Sequence, residues 1–300
     1  MDVDQEINAI MALHDSAPAE AEARLWAVLE HGVETRFQAR AGWLANHVIG
    51  EHFKRWDDAL RFQRQLLTDD APPLAVLRNG AVAASLAGDP AQAHYLEHRM
   101  QRDGVSAALA GAAVRVATAA HALPGGRAEH CAASLLTALD QLDPLPPAGP
   151  ADTMLASGFN NAVSALLDAD GGPPFAHATV RDAIRRGAET SRALWARAGT
   201  PLNAARGDYL CARAHRALGR HTDALAAAER GAGLLEDGHA EIDRAFLLVE
   251  IAHARHGLGE PEAGARAFEQ AEAIAAGWED AGLRDMYDAQ AAALREARGA

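Results

Sequence analysis

Four side chains between positions 206 and 216 have the chemistry of an anion-binding surface. Arg206, Tyr209, Arg213 and Arg216 are spaced by three, four and three residues, which places them on one face of an α-helix. Arginine pairs bidentately with carboxylate or phosphate, and tyrosine adds an apolar anchor that also forms hydrogen bonds. The pattern predicts a binding face for an anionic ligand, or a solvated face whose arginines pair with acids on neighbouring helices.

The surrounding charge makes this face stand out. Segment 177–220 holds nine arginines against Asp182, Glu189 and Asp208, whereas the 300-residue chain has 41 acidic and 28 basic residues and a net charge of −13. An acidic chain disfavours non-specific binding to nucleic acid and to anionic lipid. The sequence also lacks an apolar run long enough to span a membrane. We therefore expect neither nucleic acid nor membrane as a partner.

Two asparagines and two histidines are further candidates for ligand contacts. Asn160 and Asn161 lie inside a helical pattern that asparagine does not favour, so they serve a tertiary role or hydrogen-bond locally. His253 and His256 share a helical face and are expected to line the binding surface or to tune its polarity.

The histidine spacing does not predict a metal site. His94 and His98 are one turn apart, and Glu250 precedes His253 and His256 at intervals of three. Zinc sites need three or four ligands, and neither cluster supplies a complete set. We therefore expect no metal and no other cofactor.

No catalytic motif is present. The sequence has no Walker A loop, no Gly-x-Gly-x-x-Gly after a strand and no Gly-x-Ser-x-Gly elbow. His130 and Cys131 are adjacent and would point about 100° apart on a helix, a poor geometry for a nucleophile and its base. Segment 168–172 begins like a calcium loop but lacks the closing glutamate. We predict no catalytic residue, and the absence of signal-peptide features favours the cytoplasm.

The elements that must position these residues are helices. Alanine, leucine, glutamate and arginine dominate, and β-branched residues are sparse. Turn signals occur at 31–32, 87–90, 123–126, 171–174, 218–220 and 258–261. Leu218-Gly219 recurs 40 residues later as Leu258-Gly259. Regular units of this length indicate a helical repeat array and an all-α fold.

Small residues recur where the second helix of each hairpin would approach the first. They are Ala21, Ala59, Ala93, Cys131, Ala183, Ala224 and Gly264. With large apolar residues such as Trp43, Trp56 and Leu77 and a glycine at the turn, this pattern resembles the tetratricopeptide-repeat (TPR) family. The resemblance implies an α-solenoid of about seven antiparallel hairpins, whose first helices line a concave groove for a peptide or protein partner. It also implies that Asn160 and Asn161 could contact the backbone or terminal carboxylate of a peptide, and that Asn46 and Asn79 could contribute similarly.

A proline-rich segment interrupts the array. Residues 143–150 contain four prolines and cannot be helical. They separate predicted domains 1–142 and 151–300, or they form a long loop within one array. Segment 279–298 is expected to be a terminal cap helix.

Together these features predict a cytoplasmic helical-repeat binding or scaffold protein that holds a peptide or protein partner, with anionic groups, in its groove. An enzyme or small-molecule sensor with a pocket lined by histidine, glutamate and arginine is the alternative. A structural subunit used only for assembly is a third interpretation, and the sequence leaves homo-oligomerisation open.

Overall fold

The structure is a computed structural model that describes residues 1–68, 70–102, 104–123, 128–169, 177–235 and 240–299. These residues form fifteen α-helices, one π-helical segment and one 3-10 turn, with no β-strand among them. The all-α prediction is confirmed. The turn signals at 124–126 and 171–174, and the end of the calcium-like segment at 170–172, lie outside the described residues.

The helices follow one another along the whole chain. They are α1 (Val3–Leu13), α2 (Pro18–His31), α3 (Thr35–Ala45), the π-helical segment (Asn46–His52), α4 (Trp56–Leu66), α5 (Leu74–Leu86), α6 (Pro90–Met100), α7 (Ala107–Ala119), the 3-10 turn (Ala120–Ala122), α8 (Ala128–Gln141), α9 (Asp152–Leu167), α10 (Ala178–Ala198), α11 (Pro201–Ala217), α12 (His221–Gly233), α13 (Glu241–Gly257), α14 (Pro261–Ala275) and α15 (Ala281–Gly299). Taken in order, the first fourteen correspond to the seven predicted hairpins, and α15 follows them. Packing within a hairpin joins α1 to α2, α3 to α4, α5 to α6, α11 to α12 and α13 to α14.

Local sequence explains where the helices of the last two hairpins begin and end. α11 starts with Pro201 after Thr200, whose side chain forms a reciprocal capping box with Asn203. Gly219 and Gly259 lie in the left-handed region, with φ of 72° and 77°, and let the chain reverse into α12 and α14. α11 and α13 begin 40 residues apart, as do α12 and α14. The predicted repeat is therefore present in this part of the chain.

The small residues predicted to open the second helices are buried. All seven lie in an even-numbered helix, from Ala21 in α2 to Gly264 in α14. A Cβ on Gly264 would stand 3.0 Å from the backbone oxygen of Ala252 in α13, so the two helices of this hairpin approach too closely for a larger residue. The close approach predicted at Gly264 is therefore present, and the other six residues are buried as the predicted register requires.

The chain divides into two compact units. The first comprises Met1–Thr118 and Gly149–Met154, and the second comprises Ala119–Ala148 and Leu155–Ala300. This division falls earlier than the proline-rich segment because α8, which precedes that segment, packs against α10. The division into domains 1–142 and 151–300 stays a prediction.

Each unit has its own apolar core. In the first, α1 to α5 bury side chains such as Ile7, Leu44 and Phe62, with Trp26 edge-on to Phe62. In the second, α13, α14 and α15 enclose Phe268 and Tyr287. α15 packs on α13 and α14 and covers their apolar faces, the role expected of a cap helix.

Candidate binding face on α11

The four residues predicted from their spacing lie on the first helix of the sixth hairpin, α11. Arg206, near its start, faces Asp243 at the start of α13. Its Nε and one terminal nitrogen donate to the two carboxylate oxygens at 2.6 and 3.1 Å. The Arg206 side chain remains 55% exposed, so this bidentate pair lies at the solvent edge of the face.

One turn further, Tyr209 and Arg213 form the middle of the face. The Tyr209 hydroxyl donates to Gln290 Oε1 of α15 at 2.6 Å, and burial raises the pKa of Tyr209, which therefore stays a phenol. The Arg213 guanidinium lies 5.7 Å from the centre of the Tyr209 ring, within the range of a cation–π contact. Arg213 also donates to Asp168, which follows α9 and is 60% exposed.

At the end of α11, Arg216 binds a buried acid. Its Nε and a terminal nitrogen donate to the Glu250 carboxylate of α13 at 2.7 and 2.9 Å, and the Glu250 side chain has no solvent exposure. Burial lowers the pKa of Arg216, but the charge of Glu250 and the hydrogen bonds to it together outweigh burial, and the net shift of the pKa is upward. This arginine is fixed in the framework between the two helices.

The face therefore presents arginines that already bind the chain's own carboxylates. Ion pairs in segment 177–220 are formed by Arg185, Arg186, Arg192, Arg206, Arg213, Arg216 and Arg220. The pairing with acids on neighbouring helices, one of the two interpretations of the sequence, holds for Arg206, Arg213 and Arg216. Their role in ligand binding stays a prediction, and a ligand would have to replace a resident carboxylate.

A second buried acid, Asp208, lies on α11 itself, and its role does not follow from the sequence pattern. Asp208 is fully buried and accepts hydrogen bonds from Nε of Arg192 at 3.1 Å and of Arg230 at 2.9 Å. Its position as one of few acids in an arginine-rich segment was the available signal. These two arginines, on α10 and α12, serve packing between helices.

The two predicted histidines do not share a site. His253 is partly buried, and its Nε2 lies 2.9 Å from the backbone oxygen of Gln290. His256 is exposed at the edge of a cleft of about 280 Å³, which Phe268 and Leu294 line on the apolar side. Their contribution to ligand binding stays a prediction.

The asparagines form hydrogen bonds within the chain. Asn160 on α9 donates a hydrogen bond to Asn161 Oδ1 at 3.3 Å, and Asn161 is exposed. Their role in ligand binding stays a prediction. The suggested role of Asn46 and Asn79 is wrong, because both are buried. Asn46 donates to the backbone oxygen of Asn79 at 2.9 Å, and Asn79 donates to that of Ala39 at 3.1 Å.

Both cysteines are buried in the second unit, and burial raises the pKa of the Cys131 and Cys211 thiols to about 12. Thiols held in this form are poor nucleophiles. No helix in the described ranges combines the length and apolarity needed to cross a membrane.

No protein-family model matches the sequence, and no curated protein matches it. Among solved structures, the chain is similar to the TPR domain of P58(IPK), whose crystal structure was determined at 2.5 Å. The two are 13% identical, 99% of each chain is covered, and the TM-score is 0.25. These values transfer no residue role and no partner. The paired helices, buried small residues and turn glycines described above give the chain a TPR-like helical-repeat architecture.

Proposed function

We propose that the chain is a cytoplasmic helical-repeat binding protein that holds an acidic peptide or protein segment against the α11 face. The observation that carries the proposal is the way in which this face binds carboxylates. Arg206 and Arg213 each hold a carboxylate of the chain itself, from Asp243 and Asp168. A surface that binds internal carboxylates has the chemistry to bind those of a partner.

The three arginine pairs differ in how readily a ligand can replace the resident acid. Asp168 is 60% exposed and the Arg206 side chain is 55% exposed, so a partner can reach one member of each pair, whereas Arg213 and Asp243 are only 12% and 16% exposed. Pairs open to solvent contribute less to stability than buried ones, so exchanging one carboxylate for another costs less at these two pairs than at Glu250. Glu250 is fully buried and is not replaceable in this way. Arg206 and Arg213 are therefore the proposed ligand contacts. Arg216 binds Glu250 and so fixes α11, which carries them, against α13.

Tyr209 completes the proposed site. It lies between the two arginines along the helix, and its ring is tilted against Phe246 at a centroid distance of 5.9 Å. Side chains positioned in this way on rigid helices lose little freedom on binding. Part of the attraction is between exposed charges, so we expect affinity to fall as the salt concentration rises.

A fluorescently labelled library of aspartate- and glutamate-rich peptides tests the proposal, with peptides of the same length carrying asparagine and glutamine as the neutral set. We expect the full chain to bind members of the acidic set and to lose affinity for them in Arg206→Ala and Arg213→Ala. Asp168→Asn should strengthen binding, because it removes the resident competitor for Arg213.

Arg255→Ala is the matched control. Arg255 lies on α13 and is also paired with two acids, but these are Glu229 of α12 and Glu260 at the start of α14, neither of which pairs with an arginine of the α11 face. Equal affinity for the acidic and neutral sets, or equal losses in Arg255→Ala and Arg213→Ala, would contradict the proposal.

A further inference from the structure

Three imidazoles converge on one carboxylate in the first unit. His14 and Asp15 lie just after α1, and His47 and His52 belong to the π-helical segment. Nε2 of His14 lies 3.5 Å from Asp15 Oδ2, and Nε2 of both His47 and His52 lies 3.4 Å from Asp15 Oδ1. The ligand atoms of His14, Asp15 and His47 all lie within 4.8 Å of one another.

The other ring nitrogens fix which nitrogen is presented to Asp15. Nδ1 of His14 lies 2.7 Å from the backbone oxygen of Met11, which can only accept a hydrogen bond. Nδ1 of His47 lies 2.6 Å from Glu51 Oε2. Each Nδ1 therefore carries the proton and donates, and in the neutral ring each Nε2 turns a lone pair toward Asp15. This is the usual outer arrangement of metal-binding histidines, whose second nitrogen donates to a carbonyl or a carboxylate.

The separations fit ligands around an ion better than hydrogen-bonded partners. Hydrogen bonds between nitrogen and oxygen are commonly about 2.7–3.2 Å long, shorter than the 3.4–3.5 Å seen between the three rings and Asp15. Two ligands bound tetrahedrally to zinc at about 2.0–2.1 Å lie about 3.3–3.4 Å apart. We propose that His14, Asp15 and His47 form a binding site for a divalent transition metal, with zinc the best match. His52 contacts Asp15 but is not one of the three residues whose ligand atoms lie within 4.8 Å of one another, so it stands at the margin of the site.

The π-helical segment is what brings His47 and His52 to the same side. Its wider turn bonds the amide of residue i+5 to the carbonyl of residue i, as Phe53 does to Val48 at 3.3 Å. Residues five apart then point more nearly to the same side than in an α-helix, where they differ by about 140°. π-Helical turns of this kind occur frequently at functional sites.

The surroundings hold the rings and leave one side open. Trp43 stacks on His47 with the ring centres 5.3 Å apart and the planes 7° apart, which fixes the orientation of His47. The His14, His47 and His52 side chains are 15%, 24% and 32% exposed, whereas Asp15 is 74% exposed and gives an ion access. Asp15 and Glu51 together carry two negative charges, which a divalent cation would balance.

Titration of the full, chelator-treated chain with zinc chloride tests the site, followed by calorimetry and by competition with a chromogenic chelator. We expect one tight equivalent of zinc in the wild type. Cobalt substituted at the same site should give the visible absorption bands of a tetrahedral nitrogen and oxygen ligand set. Asp15→Asn and His47→Ala should lose the tight equivalent, and Glu51→Gln, which acts on the orientation of His47, should weaken it about 10- to 100-fold.

His94→Ala/His98→Ala is the control, because this pair lies one turn apart on α6 and tests binding by surface histidines in general. The double variant should keep the tight equivalent. Asp15 lies in an exposed turn, so Asp15→Asn should fold normally even if His47→Ala does not. Absence of a tight equivalent in the wild type, or its persistence in Asp15→Asn and His47→Ala, would overturn the assignment and leave an ion-pair cluster between histidines and Asp15.

Discussion

Arg216 donates two hydrogen bonds to Glu250, at 2.7 and 2.9 Å, and the carboxylate that receives them is fully buried. The pair joins α11 to α13, the first helices of consecutive hairpins. Taking a carboxylate out of water is costly, and a bidentate arginine offsets that cost only while both partners are present. The pair therefore fixes how two neighbouring hairpins are placed, and its loss should be felt as lost stability.

Arg216→Ala should lower the free energy of unfolding by about 3 kcal/mol, because it leaves Glu250 buried without a counter-charge. Arg206→Ala should cost less than about 1 kcal/mol, since its pair with Asp243 lies at the solvent edge. Urea denaturation of both variants measures the difference. Arg216→Met/Glu250→Leu should recover most of the loss, and equal costs for the two single variants would contradict this account.

Ala224→Leu should cost about 1–3 kcal/mol, because Ala224 is fully buried where α12 meets α11 and an isobutyl group would overpack that contact. Ala226→Leu is the control on the same helix, at an exposed position. Thermal melts of the two variants check the prediction. If Ala224→Leu melted with the parent, the register of the sixth hairpin would be in error.

The hairpins could be predicted from sequence because their determinants are local. A small residue such as Ala224 or Gly264 is needed wherever two helices approach closely, and Gly219 and Gly259 are needed wherever the chain enters the left-handed region. Each of these requirements restricts the residue type at one position. Their repetition along the chain therefore indicates the fold without knowledge of tertiary contacts.

The environment of the α11 face could not be predicted in the same way. Helical spacing establishes that Arg206, Arg213 and Arg216 share a face. The acids that they bind lie just after α9 and on α13. Asp243 and Glu250 follow no spacing rule relative to α11, and only packing of the hairpins brings them together. The sequence therefore predicted an arginine face and left its occupant open.

The proposed metal site escaped the sequence for two reasons. Its ligands lie on two elements more than 30 residues apart, and the five-residue interval between His47 and His52 matches a π-helix rather than the three- and four-residue intervals of an α-helix. A search for α-helical histidine spacing selects His94 and His98 instead. Spacing of this α-helical kind therefore predicts no metal site at His47 and His52.

His253 should make the second unit less stable in mild acid. Burial and the nearby Arg216 lower the pKa of His253, with a smaller effect in the same direction from His256, while Glu250 and the Gln290 carbonyl oppose the shift. The unfolded chain, with a histidine pKa near 6.5, therefore takes up the proton first. Stability associated with the neutral ring is complete above about pH 6.5 and is lost as the pH falls from there toward the lowered pKa of the folded state.

His253→Gln can keep a donor to the Gln290 carbonyl but does not titrate. Between about pH 7.5 and 5.5, the wild type should lose more unfolding free energy than this variant, measured by urea denaturation at each pH. His215, whose pKa is also lowered, first by burial, is present in both proteins and cancels in the comparison. Parallel stability curves for the two proteins would show that His253 does not contribute.

Gln63 should be essential to the packing of the π-helical segment. It is fully buried on α4, and its amide nitrogen donates to the backbone oxygen of Gly42 at 2.7 Å and to Asn46 Oδ1 at 2.8 Å. Gln63→Met preserves the length of the side chain but donates nothing. In this variant the Gly42 backbone oxygen still accepts a hydrogen bond from the backbone N–H of Asn46. The side-chain oxygen of Asn46, Oδ1, is therefore the atom that loses its donor. We expect a cost of about 1–3 kcal/mol, as for one buried polar group left unsatisfied. Gln65→Met, at an exposed position of the same helix, should be nearly neutral.

Hydrogen exchange followed by mass spectrometry should show faster exchange over 46–53 in Gln63→Met alone, because Asn46 begins the π-helical segment. In the background of Asn46→Ala, which removes the stranded acceptor, Gln63→Met should cost less, and additive effects of the two substitutions would show that the hydrogen bond between them does not stabilise the segment.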